Sequence, residues 1–405
     1  MNTAAPKIRE SPVPESQVCE NMTLGSIAAE TSAHREDRLW VSRLALRAYR
    51  SYEAVELNLD ARPVVFFGAN GAGKTNLLEA LSLLAPGRGL RGSKLGDAMR
   101  RKGDGVPQAW AIAAKISQGG DEVQLRTEIS ASEKREVRIE GEKASPGDLG
   151  NHMRLLWLTP AMDRLFADSP GARRKFLDRM VLGLKPDHGR NAMGYEKAMR
   201  ERQRILNEEL DEPTWLDALE KSMAEHGREM VEARSAVVAR LADAIDGAND
   251  SAFPKAVLAL ETGWGIDEVD FAATLKASRH RDTAAGRATL GPHRADLFVR
   301  HATKDMPAAD CSTGEQKALL IGLVLANARL QAAANKGAAP LLLLDEVAAH
   351  LDEMRRAALF DEICALGAQA WMTGTDAHLF AAFGVRAQQF EVSDGKIISH
   401  ARDTI

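Results

Sequence analysis

Cysteine is scarce in this chain, with three in 405 residues. Cys19, Cys311 and Cys364 are far apart, odd in number and fit no metal-ligand spacing, which excludes a disulfide framework and suits a reducing cytoplasm. Long apolar runs are missing as well. No stretch approaches the roughly 20 uninterrupted apolar residues of a membrane span, so no membrane partner is expected. Excess positive charge is absent too: 53 Lys and Arg face 57 Asp and Glu, a net charge of −4. Bulk electrostatics therefore do not announce nucleic-acid binding, and any DNA contact has to come from local patches. What remains, 45% apolar and 27% charged residues, is the composition of a soluble globular protein with room for one large or two ordinary domains. Residues 1–38 mix Glu, Ser, Ala and Pro with few large apolar side chains. They lack a signal-peptide core and are expected to be a disordered tail or an over-long start, with Met22 as another initiator.

Against these absences stands Gly68-Ala69-Asn70-Gly71-Ala72-Gly73-Lys74-Thr75, directly after the apolar run Pro63–Phe67. This is G-x-x-x-x-G-K-[ST] in its proper setting, a buried strand feeding a glycine-rich loop that opens a helix. Backbone N–H groups of such a loop close around phosphate oxygens, and the helix N-terminus adds partial positive charge. Lys74 is placed to reach the β- and γ-phosphates of ATP, and Thr75 to hold Mg²⁺.

A second half follows about 240 residues downstream. Cys311-Ser312-Thr313-Gly314-Glu315-Gln316-Lys317 leads into the helical run Ala318–Leu330, and Leu341–Leu344 then forms a buried strand ending in Asp345-Glu346. Asp345 is placed to bind Mg²⁺ through water, and Glu346 to orient or deprotonate the attacking water. Ala348-Ala349-His350-Leu351-Asp352 resembles the D-loop of ATP-binding-cassette proteins. In cassette ATPases a Ser-x-Gly turn such as Ser312–Gly314 reaches the ATP held by a second subunit. Walker A, signature, Walker B and D-loop in this order predict a composite site completed by a homodimer.

Along the chain, alternation over 39–67 predicts three strands before the P-loop, and Asn76–Leu84 continues as a helix. Alternation over 108–116, 122–130 and 135–141 predicts an antiparallel meander. Near Thr159-Pro160 the texture becomes helical. Ser169-Pro170 opens one helix, a second covers about 193–210, and a third runs from Pro213 to about Ile245. The third carries Trp215, Leu219, Met223, His226, Met230, Val237 and Leu241 on one face, with His226 read as a core residue. Val257–Leu260 is extended, Asp267–His280 helical, and Asp394-Gly395 a hairpin turn. The domains expected are a tail (1–38), the first half of an ATPase head (39–158), a helical lobe (159–288) and the second half of the head (289–405).

The densest basic patch is Arg88, Arg91, Lys94, Arg100, Arg101 and Lys102, the candidate DNA contact. Arg173-Arg174-Lys175 with Arg179, and Arg200, Arg202 and Arg204, are lesser candidates; each could equally be a solvated face.

These residues resemble the RecF family, bacterial recombination-repair ATPases of the SMC-like cassette class. The likeness runs from about residue 39 and is carried by Leu44–Tyr52 and the continuation Asn76-Leu77-Leu78-Glu79-Ala80. Gly291-Pro292-His293-Arg294, Ser312–Lys317 and Thr373-Gly374-Thr375-Asp376 carry it further. The resemblance implies an α/β fold, an ABC-type P-loop ATPase head with an inserted, mainly α-helical lobe. It implies an ATP-dependent homodimer that clamps DNA at single-strand gaps and junctions. With RecR and RecO partners the family helps load RecA and supports the SOS response, using slow, DNA-stimulated hydrolysis of Mg²⁺-ATP. Where the family carries Gly-Arg-Ser-Phe-Arg, this chain has Gly87-Arg88-Gly89-Leu90-Arg91, which loses the aromatic and gains a flexible glycine in that loop. A Q-loop glutamine is open between Gln108 and Gln118, and His378 is read as a helix residue rather than a switch histidine.

Alternatives are an SMC-type structural ATPase or an ATP switch acting on a protein partner. The SMC reading needs a long coiled coil between the halves, for which the spacing has no room. A transporter subunit would place its signature roughly 100 residues after Walker A, and a nuclease of the overcoming-lysogenization type would need a further domain after Asp376.

Overall fold

The computed structural model describes residues 38–100, 108–130, 134–247, 252–263 and 270–400. At its centre is a six-stranded sheet built from β3 (Val64–Phe67), β8 (Leu155–Leu158), β12 (Leu341–Leu344), β13 (Ala370–Gly374), β14 (Gln388–Ser393) and β15 (Lys396–Ser399). Their order is β15-β14-β3-β13-β12-β8, parallel except for β15, which closes a hairpin on β14. That hairpin turns at Asp394 and Gly395, both left-handed (φ 48° and 73°), as a tight two-residue turn requires. The inner strands read as unbroken apolar runs because both faces are covered. Val64, Phe66, Leu341, Leu343, Leu155 and Trp371 enter one core, while Val65, Leu342, Leu344, Leu156, Ala370 and Met372 enter the other.

The first core lies between this sheet and an antiparallel one. β1 (Leu39–Tyr49), β2 (Tyr52–Asn58), β4 (Trp110–Gln118), β5 (Asp121–Ile129), β6 (Arg135–Ile139) and β7 (Glu142–Ala144) pair in the order β2-β1-β4-β5-β6-β7. Of the three strands expected before the P-loop, the first two join the expected meander in this sheet, whereas the third, β3, belongs to the central one. The P-loop helix α1 (Lys74–Ser82) fills the space between the two sheets, with Leu77, Leu78, Ala80 and Leu81 fully buried. Arg135 ties down the chain as it leaves this helix, donating to the C-cap Leu83 carbonyl and to the Ala85 and Gly87 oxygens beyond it; burial pulls that guanidinium down to about 10.

The second core packs α7 (Thr313–Ala334) and α8 (Glu353–Leu366) on the other face. By length and composition α7 is apolar enough to span a membrane, but two thirds of its most apolar window is buried here. It is the core helix behind the signature turn. A three-stranded sheet, β11-β10-β9, of β9 (Ala256–Glu261), β10 (Asp296–His301) and β11 (Met306–Pro307), continues this side.

Helices α2 (Pro170–Leu182), α3 (His188–Asn207), α4 (Pro213–Asp246), α5 (Phe271–Ala277) and α6 (Arg279–Ala285) make the helical part. The stretch expected as one helix over 267–280 is two short helices broken at Ser278, with 264–269 outside the described residues. The segment 159–288 also contains β9, which pairs with β10 across the expected boundary at 288. Trp215, expected on the buried face of α4, is 54% exposed in its first turn, where its neighbour Leu216 packs against Ile205 and Leu206 of α3 instead. His226 is half-buried as a packing residue, its Nδ1 3.1 Å from Asn191 Oδ1. Gly194 makes room for the ring: a Cβ there would lie 2.4 Å from Nε2.

Several basic residues read as surface patches belong to the interior. Arg202 is fully buried and is held by Glu220 (2.9 Å), Asp282 (2.7 Å) and the Leu275 carbonyl (2.7 Å). Arg173 forms a two-pronged pair with Asp296, both contacts 2.7 Å, and Arg174 donates to the Ala295 carbonyl. Arg179 lies 3.3 Å from the Trp157 ring centroid, and burial pulls its guanidinium down to about 9. These arginines tie α2 and α3 to their neighbours, so their clustering in sequence reflects packing. Arg200 and Arg204 are exposed but pair along their own helix with Glu196, Glu201 and Glu208.

Candidate nucleotide site

The P-loop leaves β3 with Gly68, Gly71 and Gly73 at φ 143°, 83° and 112°. Gly68 has a further reason to lack a side chain, since a Cβ would lie 2.2 Å from the Val392 carbonyl oxygen. Gly73 is backed by the turn between β1 and β2. Tyr52 donates its hydroxyl to the Gly73 carbonyl (3.0 Å), and Asn76 Nδ2 donates to Ser51 Oγ (3.0 Å). The opening strands thus hold the loop from behind. Lys74 is 5% exposed and curls over the loop, donating from Nζ to Gly68 O (2.7 Å) and Ala69 O (2.8 Å). Burial lowers its ammonium below the ordinary range even though Glu346 and Asp345 favour the charge.

Strand order explains the rest of the site. β13 lies between β3 and β12, so the C-terminal ends of all three open onto the N-terminus of α1. Thr75 Oγ1 donates to Asp345, 2.9 Å from Oδ1 and 3.1 Å from Oδ2. Thr373, at the end of β13, donates to Asp345 Oδ1 (2.7 Å) and accepts from the Glu346 backbone N–H (3.0 Å). Glu346 itself is left-handed (φ 54°, ψ 20°), unusual for a residue with a Cβ. The sequence positions Gly68–Thr75, Asp345 and Glu346 thus meet in one place although 270 residues separate Thr75 from Asp345. A hydroxyl and a carboxylate converging beside a phosphate-binding loop are the hard oxygen donors that suit Mg²⁺.

Ser312 and Gly314 stand apart. Ser312 caps α7 in a capping box, accepting from Glu315 N–H while the Glu315 carboxylate accepts from Ser312 N–H (3.1 Å). Lys304, 2.5 Å away, with the Ser312 contacts takes the Glu315 carboxyl down to about 2. Both Ser312 and Gly314 are exposed, and among the described residues no hydrogen bond links them to the P-loop. Asp352 uses its carboxylate to cap α8, accepting from Arg355 N–H (2.8 Å).

The candidate DNA patch divides. Arg88, Arg91 and Lys94 are exposed, but Arg91 pairs with Glu79 (3.1 Å), and half-buried Arg100 donates to the Ser51 carbonyl (2.6 Å). Arg101 and Lys102 lie outside the described residues. Of the two Q-loop candidates, Gln118 pairs in register with Leu39, the end of the sheet away from the Tyr49–Tyr52 turn, whereas Gln108 lies at the P-loop end, its N–H donating to Arg100 O. His378 is exposed in the first turn of a 3₁₀ helix capped by Asp376, a helix residue as expected. His293 is a junction residue, with Nδ1 2.9 Å from the Tyr195 hydroxyl and Nε2 3.0 Å from the Ala288 carbonyl.

Two contributors escaped the motif reading. Thr373 and Tyr52 appeared only as parts of a family likeness, with no role at the site. A threonine closing a strand that lies between the two Walker strands is the signal, and it requires the strand order.

The RecF/RecN/SMC N-terminal domain family matches residues 40–395. The chain is 51% identical over 375 residues to the DNA replication and repair protein RecF of Agrobacterium fabrum, covering 89% of this chain and 99% of that one. It is 48% identical over 370 residues to the protein of the same name from Caulobacter vibrioides, covering 87% and 96%. Among solved structures, the recombination mediator RecF with ATPrS superposes with a TM-score of 0.77 at 21% identity, covering 91% of this chain and 100% of that one. The Smc head domain from Pyrococcus furiosus, bound to the C-terminal domain of ScpA, superposes at 0.53 and 16% identity over 90% and 96%. Strand order, the Walker residues and these identities agree: the chain belongs to the RecF family of DNA replication and repair proteins and has the ATPase-head fold of the wider RecF/RecN/SMC class.

Proposed function

We propose that two copies of this chain close on ATP and Mg²⁺ and so clamp DNA at single-strand gaps and junctions. The observation that carries the reading is the split site. Gly68–Thr75, Asp345 and Glu346 form one half, and the exposed Ser312–Gly314 turn forms a second half with no hydrogen bond to the first among the described residues. Mg²⁺, held by Thr75 and Asp345, would supply charge neutralisation at the phosphates. Lys74 exchanges its two loop carbonyls for phosphate oxygens, and Glu346 takes up the attacking water. The Ser312 hydroxyl and the α7 N-terminus of a second copy cover the γ-phosphate. Loss of that phosphate opens the dimer, so turnover is slow and serves as a timer. DNA contacts are made chiefly to phosphate, with Arg88, Arg91 and Lys94 as candidates, and weaken with salt.

We infer a cytoplasmic role beside RecO and RecR, partners that the RecFOR pathway of the solved relative supports, in helping RecA onto gapped DNA and supporting the SOS response. The test is fluorescence anisotropy of a labelled gapped duplex titrated with Glu346→Gln protein, with and without Mg²⁺-ATP. Tight binding only with nucleotide supports the clamp. Absence of binding, with ATP bound, leaves an ATP switch whose partner is a protein.

A further inference from the structure

We propose that Thr373 is a positioning residue for ATP hydrolysis, one hydroxyl that sets both carboxylates of the Asp345-Glu346 pair. The inference rests on the proposed ATPase reaction at this site. Thr373 is 1% exposed and is the next-to-last residue of β13, the strand between the P-loop strand β3 and the Walker B strand β12. Its Oγ1 donates to Asp345 Oδ1 at 2.7 Å and accepts from Glu346 N–H at 3.0 Å. The polarity of these bonds has one solution. An ionised carboxylate only accepts and a backbone N–H only donates, so the single hydroxyl proton is committed to Asp345 and a lone pair to Glu346.

The second bond falls on a residue in an unfavourable conformation. Glu346 at φ 54° and ψ 20° lies in the left-handed region, which a side chain with a Cβ disfavours. Its N–H bond to Thr373 is one of the contacts that holds this geometry, and the geometry decides where the Glu346 carboxylate points. The first bond occupies one Asp345 oxygen next to Thr75, fixing the carboxylate plane against the P-loop helix. Thr373 thus connects the residue assigned to the cation with the residue assigned to the water, without itself touching nucleotide. Its backbone is anchored independently, because β13 is paired on both sides through Thr373↔Phe66 and Met372↔Leu344. Loss of the hydroxyl therefore leaves the strand in place.

Thr373→Val keeps shape and removes both bonds; Thr373→Ser keeps both bonds and removes a methyl. Steady-state ATP hydrolysis of native protein, Thr373→Val and Thr373→Ser would be measured with the affinity of a fluorescent ATP analogue in the absence of Mg²⁺. Expected is a kcat for Thr373→Val lower by about 10- to 100-fold, the loss that follows from a misdirected catalytic group. Nucleotide affinity should stay within twofold, and Thr373→Ser should keep kcat within about threefold. Native-like hydrolysis by Thr373→Val overturns the inference while leaving the ATPase reading intact. If the valine variant fails to fold, an equal loss of kcat in a folded Thr373→Ser overturns it. Absence of hydrolysis by the native protein itself removes the reading on which the inference rests.

Discussion

Arg50 grips Glu79 with two prongs, Nε to Oε2 at 2.5 Å and Nη2 to Oε1 at 2.6 Å, and so ties the turn after β1 to the P-loop helix. Glu79 is 3% exposed and one helical turn beyond Thr75, and Arg91 of the basic loop reaches the same carboxylate. The pair therefore joins three segments: front sheet, nucleotide helix and the loop that carries candidate DNA contacts.

Removing either partner leaves a charge in a poorly solvated place, which for buried pairs costs roughly 3–5 kcal/mol. Glu79→Ala strands two guanidinium groups, but that of Arg50 keeps some contact with water, so a loss of about 3 kcal/mol is expected. The shift in the urea unfolding midpoint at constant slope measures it. A shift worth less than about 1 kcal/mol would show that water replaces the carboxylate freely.

Two P-loop glycines should respond differently to alanine. At Gly68 the new Cβ meets a backbone carbonyl at 2.2 Å, so the edge between β3 and β14 has to move, at a cost on the order of 3 kcal/mol. At Gly71 nothing lies within 4 Å and only the positive φ of 83° is strained, at about 1 kcal/mol. Thermal unfolding of the two variants side by side tests the ranking.

Three substitutions separate binding, assembly and chemistry. Lys74→Ala should weaken ATP binding by about tenfold or more, equivalent to about 1.4 kcal/mol, as measured by titration calorimetry. Ser312→Arg places a bulky cation on the exposed signature turn; it should leave ATP binding nearly intact and abolish the ATP-dependent dimer in light scattering. Glu346→Gln should hold ATP and persist as a dimer. A Glu346→Gln protein that stays monomeric in saturating Mg²⁺-ATP would contradict the shared-site mechanism.

Acid should attack the helical part through two carboxylates. Burial alone would raise the Asp178 carboxyl, but His188 and Arg234 outweigh it and hold the group below its ordinary 3.8. Asp282 behaves alike: burial is outweighed by Thr289, Arg202 and Ser278. A depressed folded value means that the unfolded chain takes up these protons first as pH falls. The stabilisation is complete above about pH 5 and is lost on descending through 3.8 towards the folded values. Stability measured by denaturant between pH 6 and 3 should fall steeply. It should fall less steeply in Asp178→Asn, which starts from a lower plateau because Arg234 has lost its partner.

Local patterns carried much of this molecule. The P-loop, the strand ending in Asp345-Glu346 and the Asp394-Gly395 turn are fixed by residues within a few positions of one another, so their chemistry could be read directly. Arg202 could not be placed that way. Its partners Glu220 and Asp282 lie 18 and 80 residues away, and only the packing of α3 against α4 and α6 turns a basic run into an interior hub. Thr373 is the same case at the site, since a hydroxyl acquires its role from strand order. Trp215 failed in the other direction. Helical periodicity assigned it to the buried face, but in the first turn Leu216 takes that place against Ile205 and Leu206 and leaves Trp215 to solvent.

The placement of β3 between β13 and β14 also has consequences for synthesis. Val64 pairs with Trp371 and Gln388, so both neighbours of the P-loop strand are made roughly 300 residues after it. At about 5–20 residues per second, that strand waits on the order of 15–60 seconds on the ribosome with two open edges. Such long-range parallel pairing is slow to nucleate and exposed to aggregation meanwhile. A nascent chain arrested before residue 370 would hold every glycine of the phosphate loop and yet lack both strands that pair with β3.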